Sequence, residues 1–185
     1  MKIKKIVVAM GSILMLCSGL TNAATTTVTG GTIHFKGKLV AAPCSVSTDS
    51  DGQIVNLGEY TTHHFNKRGV MGTEKPFQIK LEDCDITTQK TAAVAFQGRQ
   101  DTTDDTLLAV DSSLSGDQAA TATGVGIRIK DSKSKYVPVD GSKFSSAQTL
   151  LEGENVLNFM AQYKSTGVAT AGMANADATF IMQYE

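Results

Sequence analysis

Thr32–Val40 reads TIHFKGKLV, immediately ahead of Ala41-Ala42-Pro43-Cys44. The odd positions Ile33, Phe35, Gly37 and Leu39 make one apolar face interrupted by a glycine, and the even positions His34, Lys36 and Lys38 are polar or charged. That two-residue period belongs to a half-buried strand, because successive side chains of a strand point to opposite faces. Glycine weakens a strand, so Gly37 predicts close approach of another backbone or a shallow pocket. Something must cover the apolar face. The stretch alone leaves two arrangements open: an ordinary sandwich edge, or a strand offered to another molecule.

Upstream, Lys2, Lys4 and Lys5 precede an apolar run from Ile6 to Leu16, and Thr21-Asn22-Ala23 follows. A basic start, a short apolar run and small residues before a cleavage point define a secretory signal peptide, and the run is too short for a membrane anchor. Residues 1–23 are therefore expected to be cleaved after Ala23. Ala24–Gly31 (ATTTVTGG) is polar and glycine-ended, with too little apolar surface to fold alone.

Secretion sets the chemistry of the cysteines. Of the three in the chain, Cys17 lies in the signal peptide, which leaves Cys44 and Cys84. An even pair in an oxidising compartment is expected to form a disulfide, and two cysteines cannot supply a zinc site unaided. In the chain-entropy picture, closing a loop of about 40 residues contributes roughly 4 kcal/mol.

Downstream of Cys44 the sequence is a succession of short strand candidates separated by turn residues: Cys44–Ser47, Ile54–Leu57, Phe77–Leu81, Ala92–Gln97, Leu107–Val110, Val125–Ile129, Tyr136–Val139, Leu157–Tyr163 and Ala176–Tyr184. Asp49–Gly52 is a turn, His63–Gly72 a loop and Ser112–Gly124 a Ser/Thr/Ala/Gly loop. Pro138 argues for an edge position. Ser145–Glu152 could form a short helix. Many short strands in one domain, with 41% hydrophobic residues spread through the chain, predict an all-β antiparallel sandwich.

The chemistry-bearing residues are sparse. Three histidines, His34, His63 and His64, have no metal-ligand spacing, so no metal or cofactor is expected. There is no Gly-x-Ser-x-Gly elbow and no phosphate loop. Asp104-Asp105 and Glu82-Asp83 fall in connectors, where solvated charge explains them. With a net charge of −1 and interspersed signs, no stripe is available for nucleic acid. The composition gives no reason to expect an enzyme.

The chain resembles the chaperone-usher pilins, and in particular the major rod subunit of type 1 fimbriae. The resemblance rests on Val28-Thr29-Gly30-Gly31-Thr32-Ile33-His34-Phe35-Lys36-Gly37, on Cys44 and Asp83-Cys84-Asp85, on Ala92–Phe96 (AAVAF) and on Ala174–Phe180 (ANADATF). A penultimate Tyr184 and Gly172, fourteen places from the end, are further family marks. The resemblance implies an incomplete immunoglobulin-like sandwich that lacks its last strand and is completed by a donor strand from another molecule. It implies a donor-strand extension at residues 24–40, with Ile33, Phe35, Gly37 and Leu39 facing the acceptor, followed by a pilin domain at 41–185. Gly172, Ala176, Ala178, Phe180, Met182 and Tyr184 would form the acceptor groove and chaperone-binding strand. The implied partners are copies of the chain itself, other fimbrial subunits, a periplasmic chaperone and an outer-membrane usher. The implied route runs through the periplasm to a surface fimbrium. A minor adaptor subunit and a secreted monomeric immunoglobulin-like binding module are the alternatives.

Overall fold

The computed structural model describes residues 25–37, 39, 41–111 and 120–185. The signal peptide expected at 1–23, Lys38 and Val40 of the opening stretch, and most of the loop at 112–124 lie outside the described residues. The chain divides into two units, Met1–Lys38 and Leu39–Glu185, each taken by itself below.

The second unit is all-β. Its strands are β1 (Ser45–Val46), β2 (Lys75–Cys84), β3 (Thr91–Gly98), β4 (Leu108–Ala109), β5 (Val125–Asp131), β6 (Tyr136–Val137), β7 (Gln148–Thr149), β8 (Gly153–Ser165) and β9 (Ala178–Tyr184). One sheet runs β1-β2-β8-β5-β4, with β6 also on β5, and the other runs β7-β3-β9. Every strand pair is antiparallel. A 3-10 turn at Thr48–Ser50 is capped by Ser47, whose hydroxyl accepts from Asp49 N–H.

The alternation of the sequence sets which faces meet. Ile79 and Leu81 of β2, Leu157, Phe159 and Ala161 of β8, and Val125, Ile127 and Ile129 of β5 point inward and are buried. They face Ala92, Val94 and Phe96 of β3. At the centre, the Phe159 ring stacks on Phe77 at 5.5 Å and meets Phe96 edge-on at 5.1 Å, the offset and T-shaped arrangements that aromatic quadrupoles favour. Cys44 and Cys84 are joined in a disulfide, as expected, and both are buried.

Two expected elements differ. Ile54–Leu57, expected as a strand, alternates in burial, with Val55 half-buried and Leu57 buried while Ile54 is 92% exposed, but it joins no ladder. Its side-chain pattern is that of a strand, yet no backbone partner stands beside it among the described residues. Ser145–Glu152 is not helical: it contains β7, and Ser145 donates N–H to Val94 O while its hydroxyl accepts from Val94 N–H. Tertiary demand decides here, because the edge of β3 away from β9 would otherwise carry unpaired backbone groups in a buried position. Pro138 follows β6, which pairs only with β5, an edge as expected.

Candidate functional site

β9 is the last strand of its sheet and, among the described residues, has β3 as its only neighbour. Thr91 and Glu185 exchange N–H to O bonds in both directions, at 2.9 and 3.1 Å. In an antiparallel ladder such doubly bonded pairs alternate, so the next are Ala93–Gln183, Ala95–Ile181 and Gln97–Thr179. Ala178, Phe180, Met182 and Tyr184 consequently turn their N–H and C=O groups away from β3. Side chains of the same four residues lie on the inner face of the strand. Phe180, Met182 and Tyr184, with Ala176 just before them, are half-buried and pack against the core.

This places unpaired backbone and uncovered apolar side chains along one line. Unpaired edge groups and exposed apolar surface both favour association with another strand. A second gap lies in the facing layer. On the edge away from β8, β2 is covered among the described residues only near its end, by β1 and by the bonds Ser47 N–H to Lys80 O and Lys80 N–H to Ser50 Oγ. Between residues 53–56 and 75–78 lies a cavity of about 380 Å³, lined by Val55 and Phe77 among others.

The start of β9 is held from outside the sheet. Tyr163 donates its hydroxyl to Ala174 O at 2.8 Å, and Asp111 and Asn175 exchange backbone hydrogen bonds. Ala122 N–H to Met173 O and Met173 N–H to Ala120 O, both 2.8 Å, tie the preceding chain to residues 120–122. Gly172 makes that crossing feasible: a Cβ there would lie 2.4 Å from Ala120 O and 2.5 Å from Ala122 N, and its φ is +156°. Burial pushes the Tyr184 phenol up from its ordinary range.

A model of the fimbrial protein family matches residues 33–185. The chain belongs to the fimbrial protein family. It is 53% identical over 175 residues to the type-1 fimbrial protein A chain of Salmonella typhi, covering 93% of this chain and 94% of the relative. It is 44% identical over 186 residues to the type-1 fimbrial protein A chain of Escherichia coli K12, covering 100% of both. Among solved structures, a chain of a chaperone-usher pilus, described for the molecular basis of rod uncoiling, aligns with a TM-score of 0.71 at 28% identity, covering 88% of this chain and 100% of that one. The P pilus rod subunit PapA aligns at 0.63 and 28%, covering 78% and 100%. This fimbrial protein is thus a subunit of a chaperone-usher pilus, with the incomplete immunoglobulin-like sandwich of that class. Subunits of this kind polymerise with other pilins into a surface fimbrium.

In the first unit of the fimbrial subunit, residues 25–37 join no strand. Ile33 and Phe35 are 78% and 90% exposed, and Leu39, at the start of the second unit, is fully exposed. A Cβ on Gly37 would meet nothing within 4 Å. His63 and His64 are exposed in the loop before Met71, and His64 Nε2 lies 3.2 Å from Met71 O. Among the described residues no group of three or more His, Cys, Asp or Glu side chains is arranged to hold a metal ion. Val55 and Phe77 are the apolar ground that sequence reasoning did not assign to a site. Phe77 stood out only as the start of an alternating strand, and nothing local marks it as uncovered.

Proposed function

We propose that this fimbrial subunit is a major, rod-forming subunit that polymerises by donor-strand exchange. In this scheme Ile33, Phe35 and Leu39 of one copy lie along β9 of the next, where Ala176, Phe180 and Met182 wait half-covered. The single observation that carries it is a coincidence of two incomplete strands. Phe180, Met182 and Tyr184 present both outward backbone groups and partly uncovered apolar side chains, while Ile33, Phe35 and Leu39 are exposed and lie in no strand. Gly37 is accounted for by a position on the acceptor too shallow for a side chain.

The magnitudes favour a durable joint. Three large apolar side chains contribute about 1.5–3 kcal/mol each, so about 5–9 kcal/mol together. Backbone pairing along β9 adds to this and helps to offset the entropic cost of association. Because the incoming strand completes a core, its loss exposes that core, and dissociation is slow. Donor and acceptor surfaces differ, so the contact is heterologous and propagates as an open filament.

Residues 1–23 are removed on export in this scheme, 24–40 form the donor extension and 41–185 form the pilin domain. A periplasmic chaperone first lends a strand to β9, its end marked by Tyr184, and an outer-membrane usher exchanges that strand for the extension of the next subunit. The rod assignment draws support from the likeness to type-1 fimbrial A chains and to a P pilus rod subunit. The test is deletion of residues 24–40 in a strain that carries the assembly machinery. Chaperone-bound subunits without fibres are expected in electron micrographs, and fibres of normal length would overturn the assignment.

A further inference from the structure

The inward face of β9 carries a methionine at its middle. Met182 lies between Phe180 and Tyr184, opposite the fully buried Val94, and its side chain packs against the core while remaining partly open to solvent. The side chains of β3 facing it, Ala92, Val94 and Phe96, offer no hydrogen-bond donor. The Tyr184 hydroxyl and the outward N–H groups of Ala178, Phe180, Met182 and Tyr184 are donors along this edge of the strand. These N–H groups are the ones an added strand would use.

We infer that Met182 is an oxidation site that closes the groove to strand addition: peroxide converts it to the sulfoxide while β9 is uncovered, and a strand already in place shields it. This rests on the strand-accepting role of β9 proposed above. In the step, a lone pair of the thioether sulfur attacks one oxygen of hydrogen peroxide, an S–O bond forms and the O–O bond breaks. The sulfur loses two electrons, and the other oxygen leaves as water after proton transfer.

The product has a strongly accepting oxygen where an apolar side chain stood. If it takes an outward N–H of β9, it removes a donor from the new ladder. If it takes none, an incoming strand whose facing side chains are Ile33, Phe35 and Leu39 buries it without a partner. Either way strand addition is disfavoured, while a subunit already joined is protected.

Met160 supplies an internal reference. It lies on β8 on the face away from the core, 36% exposed, and is not one of the β9 residues. Unpolymerised full-chain subunit and assembled fibres are treated with hydrogen peroxide, and sulfoxide at each methionine is followed by peptide mass mapping. Uptake of a synthetic peptide of residues 25–40 by the treated subunit is then measured. The expected result is oxidation of Met160 at rates within twofold in the two forms, oxidation of Met182 at least tenfold slower in fibres, and peptide uptake at least tenfold slower after oxidation. In Met182→Leu, whatever its starting rate, peroxide should remove none of the uptake, whereas Met160→Leu should stay sensitive. Equal oxidation of Met182 in both forms, or undiminished uptake once Met182 is oxidised, would overturn the inference. Absence of uptake by untreated subunit would instead overturn the strand-accepting role itself.

Discussion

At the scale of single residues, stability concentrates where the chain makes contacts that its local sequence does not announce. Gly172 is the sharpest case, since a side chain there would meet Ala120 O, Ala122 N and Thr121 C at 2.4–2.6 Å. Backbone atoms cannot swing aside as a flexible side chain would, so Gly172→Ala should break the bonds between Met173 and residues 120–122. A loss of about 2–3 kcal/mol is expected, read as a lower urea midpoint. Among the carboxylates held below their ordinary range, Asp104 and Asp131 are the two that are shielded from solvent. Burial pushes the Asp104 carboxyl up, but hydrogen bonds from Lys164 and Thr106 and the Lys164 charge outweigh it and hold it at about 2. Asp131, 2% exposed, is likewise pushed up by burial but held below its ordinary range by N–H groups of Ser146, Lys135 and Lys133. A depressed folded-state value means that the stabilisation is present above the unfolded value near 4 and is lost as pH falls through the folded one. For Asp104 this is on the order of 2 kcal/mol. Denaturation midpoints should therefore fall between pH about 4 and about 2, and Asp104→Asn should be less stable at pH 7 with a flatter profile over that window.

At the scale of elements, the same alternation that makes strands legible fails to say who pairs with whom. β2, β5, β8 and β9 are visible in Phe77/Ile79/Leu81, Val125/Ile127/Ile129, Leu157/Phe159/Ala161 and Phe180/Met182/Tyr184, because each has one face on the core. Ile54–Leu57 shows the same period and yet has no ladder, since period 2 records side-chain burial and not hydrogen-bond partners. The Ser145–Glu152 segment was open to a helical reading because its own residues are neutral on the matter, and the need of β3 for a second neighbour decides it. The alternation of β9 is apparent from the sequence, whereas the cavity lined by Val55 and Phe77 shows only once the layers are placed. Gly37 is legible as an oddity but finds no neighbour in the described chain. Gly37→Leu should leave the fold of the 41–185 domain unchanged by circular dichroism and slow fibre growth at least tenfold. Unchanged growth kinetics would remove the shallow-position role.

At the scale of the whole molecule, one sheet carries five strands in line and the other only three, with β9 at its margin. Subunits of this family polymerise, and in the scheme proposed above another strand laid beside half-covered Phe180, Met182 and Tyr184 completes this edge. The pattern of outward amides offers the most direct check. Hydrogen exchange followed at single-residue resolution in unpolymerised subunit should show Phe180, Met182 and Tyr184 exchanging fast beside slow Ile181 and Gln183. In fibres all five should be slow, and fibres grown from a mixture labelled only in residues 25–40 should show Ile33, Phe35 and Leu39 protected as well. Fast exchange at Phe180, Met182 and Tyr184 persisting in fibres would contradict the claim that a sibling strand completes the sheet.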